Sequence, residues 1–248
     1  MISFVTAIKI GPMYEDYMDR LRMYFENISI CPCIYEIIVV EEQTPETSIY
    51  LKDVFTPEEL KRYSVNHIPY KPDYPNPYGY PIIEAFAKNI GIKHAQYTYI
   101  CVTNADILFE NFDFISFLRP RHFYRFIEYE IPIPPTWTYS SQLFIKEKCL
   151  NPKLNQLSTC TVQDVAYKSG DCMLLDRNTW NLIGGFPENT VWTHSDYIVC
   201  KVVNNNRIPL QIPHTPIYTY YQPDKVNKIT QPELNIVRSY EYAIKCNP

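Results

Sequence analysis

Hydrophobic and polar positions follow two alternating patterns through the first hundred residues. Residues 2–8 and 34–40 are continuous apolar, β-branched runs, which is typical of strands buried on both faces of a mainly parallel sheet. Between these runs, apolar residues recur at helical spacing: Tyr17, Leu21, Phe25 and Ile28. The pattern therefore predicts a strand, an amphipathic helix and a second strand, which together form a first βαβ unit.

The next segment carries strong helix and loop signals. Thr56 precedes Pro57, and Glu59 follows at the spacing of a capping box, so a helix is predicted to begin with Thr56 as its N-cap. Residues 68–81 contain five prolines and four tyrosines, which predicts an irregular loop.

A further helix and strand complete the first half of the chain. The helix is predicted from apolar residues expected to share one face: Ile83, Phe86, Ala87 and Ile90. The strand is predicted over residues 97–102. Alternating strands and helices up to this point indicate a doubly wound half-sheet.

The pattern changes after Phe112. Separate strands joined by long loops are predicted at residues 123–131, 142–145 and 173–175. Helices are predicted to begin near Asp196 and at residues 231–233.

Composition and charge narrow the class of protein. A chain of 248 residues suits one large α/β domain, and 22 Tyr and 21 Pro against 6 Gly indicate long, stiff loops. The net charge of −4 disfavours a nucleic acid or an anionic membrane as the main partner. No apolar run reaches the roughly 18 residues that a membrane span needs, and residues 1–10 lack the features of a signal peptide, so a cytoplasmic protein is expected. The eight scattered cysteines are expected to be reduced thiols.

Polar residues gather where the predicted strands end. In an open α/β sheet, ligands bind beyond the carboxyl ends of the parallel strands. The residues at these ends are Thr6, Ala7, Glu41, Glu42, Asn104 and Asp106. Converging acidic groups favour a divalent metal that carries a diphosphate, and oxygen ligands suit Mg²⁺ or Mn²⁺. An alternative is that Asp106 only turns the chain after its strand.

Several blocks resemble glycosyltransferase family 2, in the order in which that family has them. Residues 87–95 (AKNIGIKHA) and 104–106 (NAD) are similar to its "ARN-G" helix and its DxD motif, and residues 37–42 (IIVVEE) to its "VVDDGS" strand end. Residues 170–177 (GDCMLLDR), with IGGF and Glu188 after them, are similar to its strand, helix and "GGF-E" turn. Asp196 falls at its "ED" pair.

This resemblance implies a GT-A fold. The expected architecture is a single α/β domain with a central mixed, mostly parallel sheet and helices on both faces. Residues 1–112 would form the half that binds the nucleotide sugar, and residues 113–248 the acceptor-binding half with a C-terminal helix. The implied reaction moves a sugar from a UDP- or GDP-sugar, with Mn²⁺ or Mg²⁺, to a hydroxyl of a glycan, protein or lipid-linked acceptor.

The resemblance also implies roles for individual residues. Asp106 would hold the metal, helped by His214 or water, because the first acid of DxD is Asn104 here. Glu41 or Glu42, with Thr6, would hold the base and ribose, and Lys88 would steady the acidic site. Asp196 would be the general base that makes the transfer inverting, although Ser195 replaces the glutamate of the family's pair. Two further departures are Gln43, where the family has glycine, and Lys88, where it has arginine.

Simpler interpretations stay open for most of these residues. Asp196 could be an ordinary acid in the first turn of a helix, His214 a structural histidine and Lys88 a solvated lysine. The loops rich in Tyr and Pro at residues 70–80, 132–139 and 218–223 could recognise the acceptor or merely pack on the sheet.

Two other enzyme classes are disfavoured. A nucleotidyltransferase needs a glycine-rich phosphate loop after the first strand, and only Gly11 is present there. A dinucleotide-dependent oxidoreductase needs a G-x-G-x-x-G motif, which follows no predicted strand. The non-enzyme alternative is a degenerate GT-A fold that binds a sugar nucleotide or a partner.

Overall fold

The computed structural model describes residues 1–10, 16–44, 47, 49–72, 84–131, 155–156, 172–188 and 195–220. Its strands are β1 Ile2–Ile8, β2 Tyr35–Glu42, β3 Val65–Tyr70, β4 Tyr99–Thr103, β5 Leu108–Phe109, β6 Phe123–Arg125, β7 Glu128–Ile131, β8 Asn155–Gln156, β9 Cys172–Asp176, β10 Leu210–Gln211 and β11 Ile217–Tyr220. Its α-helices are α1 Tyr17–Ser29, α2 Leu51–Val54, α3 Pro57–Arg62, α4 Glu84–His94, α5 Arg177–Ile183 and α6 Ser195–Asn205, and a 3-10 helix spans Asp113–Phe117.

Seven of the described strands form a central mixed sheet. Their order is β10-β6-β9-β4-β1-β2-β3. The strands β3, β2, β1 and β4 pair in parallel, and so do β6 and β10, whereas β9 runs antiparallel to both of its neighbours. Strands from both halves of the chain therefore share one sheet, as expected for a single domain.

Helices cover both faces of this sheet. On one face, α1 packs against side chains such as Phe4, Ile37 and Cys101. On the other face, α4 joins residues of α5 and α6 over a core that includes Val5, Val40 and Met173. The expected α/β architecture, mostly parallel with helices on both faces, is confirmed.

The approach of α4 to the sheet depends on a glycine. A Cβ at Gly91 would overlap the side chain of Val5 and press against Val40. Only a residue without a side chain lets the helix lie this close to β1 and β2. This close packing fixes the positions of Lys88 and Asn89, two polar residues of α4 that precede Gly91.

Two of the sequence-based predictions are wrong in part. The loop predicted at residues 68–81 begins in strand β3, which pairs with β2 up to Tyr70. Pro69 is tolerated there because β3 is the edge strand of the sheet. The strand predicted at residues 123–131 is two strands, because β6 lies in the central sheet and β7 in a second, four-stranded sheet of order β5-β11-β7-β8.

The buried face of α4 also differs from the prediction. Ala87 is buried as expected, but Phe86 and Ile90 are only half-buried, while Lys88 and Asn89 are 5% exposed. The helix is rotated because small residues meet the sheet and two polar side chains make buried hydrogen bonds. Ile83 and the predictions at residues 142–145 and 231–233 lie outside the described residues.

Other predictions hold in detail. Thr56 caps α3, since its hydroxyl accepts from the Glu59 amide at 3.2 Å while the Thr56 amide donates to the Glu59 carboxylate at 2.8 Å. The cysteines in the described part of the chain are free thiols, as expected. Among the described residues, no helix is long and apolar enough to cross a membrane.

Candidate functional site

The carboxyl ends of β1, β2 and β4 meet at one edge of the central sheet. The register aligns Thr6 with Val39 on one side and with Thr103 on the other, and Ile8 with Glu41. Because side chains alternate along each strand, Thr6 and Glu41 face α1 and Ala7 and Glu42 face α4. The predicted residues at the ends of these strands therefore do converge on one edge of the sheet.

Glu41 and Glu42 are buried and engaged at this edge. The Glu41 carboxylate accepts from the Leu51 amide at 2.6 Å and from Gln43, and lies 3.0 Å from His67 Nε2. Glu42 forms a 3.3 Å ion pair with Lys9. Both acids therefore hold neighbouring segments in place around the end of β2.

An arginine that the sequence did not single out reaches Asp106. Arg20, on α1, is 2% exposed, and its Nη1 lies 3.7 Å from Asp106 Oδ2. Its Nε and Nη2 both donate to Asp16 Oδ2 at 3.1 Å. Its guanidinium lies over the Tyr220 ring, 5.1 Å from the centroid. The only sequence signal was the spacing of four from Asp16, which is usual for surface ion pairs on helices.

Lys88 reaches the same loop from the opposite face of the sheet. Its Nζ donates to Asn104 Oδ1 at 3.1 Å and to Glu84 at 2.5 Å. It also lies 5.6 Å from the centroid of the Phe186 ring. Its burial rules out the interpretation of Lys88 as a solvated surface lysine.

The pKa of Tyr17, the first residue of α1, reflects the charges at this edge of the sheet. Burial raises the pKa of Tyr17 well above its usual value, and nearby carboxylates raise this pKa further: Asp106, Glu84 and Glu41. Arg20 acts in the opposite direction on the same pKa. The carboxylates of three separate elements are thus close enough to act on one hydroxyl.

A buried asparagine connects α4 to the turn after α5. Asn89 Nδ2 donates to the Phe186 carbonyl at 2.8 Å and to the Glu188 carboxylate at 2.9 Å, while its Oδ1 accepts from the Phe186 amide at 2.8 Å. The turn itself passes through Gly184 and Gly185 at φ of +77° and +76°. Two motifs that the resemblance treated separately, at residues 87–95 and 183–188, therefore form one structural unit.

Asp196 lies in the first turn of α6, as predicted, and is half-buried. One turn later, burial raises the pKa of the Cys200 thiol to about 11; Arg125 lowers this pKa and Asp196 raises it. Arg125 is fully buried at the carboxyl end of β6. A buried cation and the predicted base therefore both lie near Cys200.

The structure places His214 among residues that follow β5 and β10. The antiparallel ladder of β5 and β11 continues to Thr215, whose hydroxyl donates to Asn111 Oδ1 at 2.9 Å. His214 lies in the segment between β10 and β11, outside the paired residues of that ladder.

His214 is exposed and is one of the residues that line a separate cavity. This cavity has a volume of about 550 Å³ and lies between the 3-10 helix, the start of β6 and the segment after β10. It is lined by Asn111, Asp113, Phe114, Phe117, Arg119, His122, Tyr124, Gln211, Ile212, Pro213, His214 and Thr215. His214 therefore belongs to this cavity.

The described residues at this edge do not fit the expected divalent cation. In the described ranges no three His, Cys, Asp or Glu side chains come together, so a metal at this edge would depend on one or two carboxylates and on the phosphates of the donor. Asn104 Oδ1 already accepts from Lys88, and Asp106 faces Arg20. A divalent metal on Asp106 would lie close to that guanidinium, and the two positive charges would repel each other.

The architecture is similar to that of the GT-A-like glycosyltransferases, as the sequence blocks indicated. No family model matches the chain, and neither does any curated protein sequence. Residues 1–349 of S. aureus TarS in complex with UDP are 13% identical, with a TM-score of 0.59, covering 99% of this chain and 65% of that one. The same part of TarS in complex with UDP-GlcNAc is 10% identical, with a TM-score of 0.55, covering 97% and 65%.

A third structure, also of S. aureus TarS, is 13% identical, with a TM-score of 0.54, covering 90% of this chain and 37% of that one. This chain therefore spans between 37% and 65% of the length of these structures. At such identities the likeness shows the fold alone, and the GT-A fold is confirmed.

Proposed function

We propose that the chain is a glycosyltransferase that takes a sugar from a nucleotide-diphosphate donor, with UDP- and GDP-sugars as the first candidates. The observation that carries this proposal is the convergence of β1, β2 and β4 at one edge, where a polar loop follows β4. Ligands of open α/β sheets bind at such an edge. The similarity in fold to TarS bound to UDP and to UDP-GlcNAc supports the same site.

The donor is proposed to lie across the ends of β1, β2 and β4. The nucleoside would pack beside Thr6, Ala7 and the segment that Glu41 and Glu42 hold. The diphosphate would lie against the loop from Asn104 to Asp106, at the N-terminal ends of α1 and α4. Helix N-termini favour anions because their free amides and dipoles are positive. Amide donors of two helices, one on each face of the sheet, would thus be available to the diphosphate.

Asp196 is the proposed general base. It lies in the first turn of α6, where a helix stabilises a carboxylate, and Arg125 supplies positive charge nearby. The carboxylate would accept the proton of the acceptor hydroxyl as its oxygen attacks the anomeric carbon, and the nucleoside diphosphate would leave from the opposite side. This geometry would give inversion. The acceptor is proposed to be a glycan, protein or lipid-linked hydroxyl.

A panel of nucleotide sugars tests this proposal. The chain would be incubated with UDP- and GDP-sugars, and release of UDP or GDP would be measured with and without candidate acceptors. One donor is expected to be turned over above the rate without protein. If no donor releases its nucleotide but one of them binds tightly, the result would instead favour a degenerate fold that only binds a sugar nucleotide. This alternative is considered because Asn104 and Ser195 replace acidic residues of the family's motifs.

A further inference from the structure

Arg20 is a fixed positive charge beside Asp106. Its side chain is only 3% exposed, and all three guanidinium nitrogens face carboxylates, with Asp16 at 3.1 Å and Asp106 at 3.7 Å. Removing an ionised group from water is costly unless partners surround it. The guanidinium is therefore held where it is and is not free to swing into solvent.

A second held cation completes the arrangement. Lys88 is 6% exposed at its side chain and is bound to Asn104 and Glu84. Arg20 approaches the loop after β4 from the α1 face and Lys88 approaches it from the α4 face. The loop that the resemblance assigns to a metal therefore lies between two protein cations, and both of its polar side chains face one of them.

We propose that Arg20 is the resident cation of the donor site and takes the electrostatic role of the divalent metal that the DxD resemblance implies. It acts through Asp106, as a positioning residue: it orients this carboxylate and offsets its charge, so that the donor diphosphate is not repelled. The inference rests on the proposed function, since it concerns the diphosphate of that donor. It departs from the metal dependence that the sequence predicts.

Removal of Arg20 should change how nucleotide binding depends on metal. Removal of the guanidinium takes away the positive charge that lies 3.7 Å from the Asp106 carboxylate. The carboxylate then repels a diphosphate more strongly when no metal is present, and it attracts Mn²⁺ more strongly when metal is supplied. Loss of Arg20 should therefore convert a metal-independent site into a metal-dependent one, which loss of a purely structural residue would not do.

The first measurement uses the wild-type chain. UDP and GDP would be titrated calorimetrically, once in EDTA and once in saturating Mn²⁺. The affinity for the nucleotide that binds is expected to change by less than about threefold between the two conditions, because the resident cations are present in both. A tightening by Mn²⁺ of more than about tenfold would overturn the proposal.

The second measurement compares two arginines of the same helix. Arg22 also lies on α1, but it pairs with Glu59 at 2.9 Å and is 28% exposed, away from Asp106. Arg20→Met should lose at least about tenfold in nucleotide affinity in EDTA and regain most of it in Mn²⁺, whereas Arg22→Met should behave as wild type. Failure of Mn²⁺ to restore binding in a folded Arg20→Met protein would overturn the proposal. If that variant does not fold, Arg20→Gln, which keeps a donor for Asp16, takes its place.

Binding of Mn²⁺ alone separates this inference from the proposed function. If wild type binds neither nucleotide, the proposed function fails, but the charge argument can still be tested by electron paramagnetic resonance titration with Mn²⁺. Arg20→Met should then bind Mn²⁺ at least about tenfold more tightly than wild type and Arg22→Met. Equal Mn²⁺ affinities in all three proteins would contradict the proposal that Arg20 is the resident cation of the donor site.

Discussion

At the scale of single residues, Asn89 shows how one side chain can connect two motifs. Its three hydrogen bonds join α4 to the turn at Gly185 and Phe186, and every partner atom lies within 2.9 Å. An added Cβ at Gly185 would overlap Asn89 Oδ1, whereas one at Gly184 would meet nothing within 4 Å. Substitution of Gly184 therefore tests backbone strain alone, whereas substitution of Gly185 tests backbone strain together with a steric clash.

Gly185→Ala should destabilise the fold more than Gly184→Ala. Both substitutions put an alanine at positive φ, which costs about 1–2 kcal/mol. Gly185→Ala also displaces Asn89, whose three hydrogen bonds contribute about 1 kcal/mol each, so its total cost should be about 4–5 kcal/mol. Urea denaturation of the two variants measures the difference, and equal free energies of unfolding would show that Asn89 moves aside at no cost.

Asp196 gives the residue-scale prediction for catalysis. Asp196→Asn keeps the shape of the side chain but cannot accept a proton, so kcat should fall by about 10² to 10⁴. Donor affinity should stay unchanged, because the residue acts on the acceptor. Steady-state kinetics with the true donor and acceptor, beside calorimetry of donor binding, are the measurements. A wild-type kcat in this variant would assign the base to another residue, with Asp171 and Glu188 as the next candidates.

At the scale of elements, consecutive residues of α4 pack on the sheet and bind the loop after β4 and the turn after α5. Ala87, Lys88 and Asn89 are buried one after another, so the helix contacts the sheet, the loop after β4 and the turn after α5. Hydrophobic periodicity alone predicted a different face for this helix. Polar side chains are buried here because their partners come from segments far away in the sequence, and no local pattern reports such partners.

Two lysines of α4 offer a matched test of this element. Lys88 is 5% exposed and bound to the loop after β4, whereas Lys93 is exposed in the last turn of the same helix. Lys88→Met removes one positive charge at the proposed diphosphate site, so nucleotide affinity should fall by about tenfold, corresponding to about 1.4 kcal/mol. Lys93→Met should leave it unchanged. Equal affinities in calorimetric titrations of both variants would remove Lys88 from the site.

For other elements, local sequence signals were sufficient to predict where the element lies. The capping box of α3, the strand β1 and the start of α6 follow from residues that are adjacent in sequence. By contrast, the loop predicted over residues 68–81 from its prolines and tyrosines overlaps the last three residues of β3, because an edge strand tolerates Pro69. The split between β6 and β7 could not be predicted, because Arg125 and Glu128 stand in one polar-apolar run whose two ends join different sheets.

At the scale of the whole molecule, the sequence predicts the location of the ligand-binding edge of the sheet better than it predicts the charges at that edge. The order of strands and helices, with residues such as Thr6, Glu41 and Asp106 at strand ends, is enough to predict where a ligand would bind. The charge balance at that edge depends on Arg20, which comes from α1 and meets Asp106 only in the folded chain. The cavity that His214 lines likewise forms only in the folded chain, from segments that are far apart in sequence.

The position of bound nucleotide tests the central claim most directly. Crystals of the chain grown with UDP or GDP, whichever binds in solution, should show the nucleotide at the ends of β1 and β2, with its diphosphate against the loop from Asn104 to Asp106. The nucleoside should lie beside Thr6 and the segment held by Glu42. Nucleotide found instead in the separate cavity that His214 lines would contradict the account.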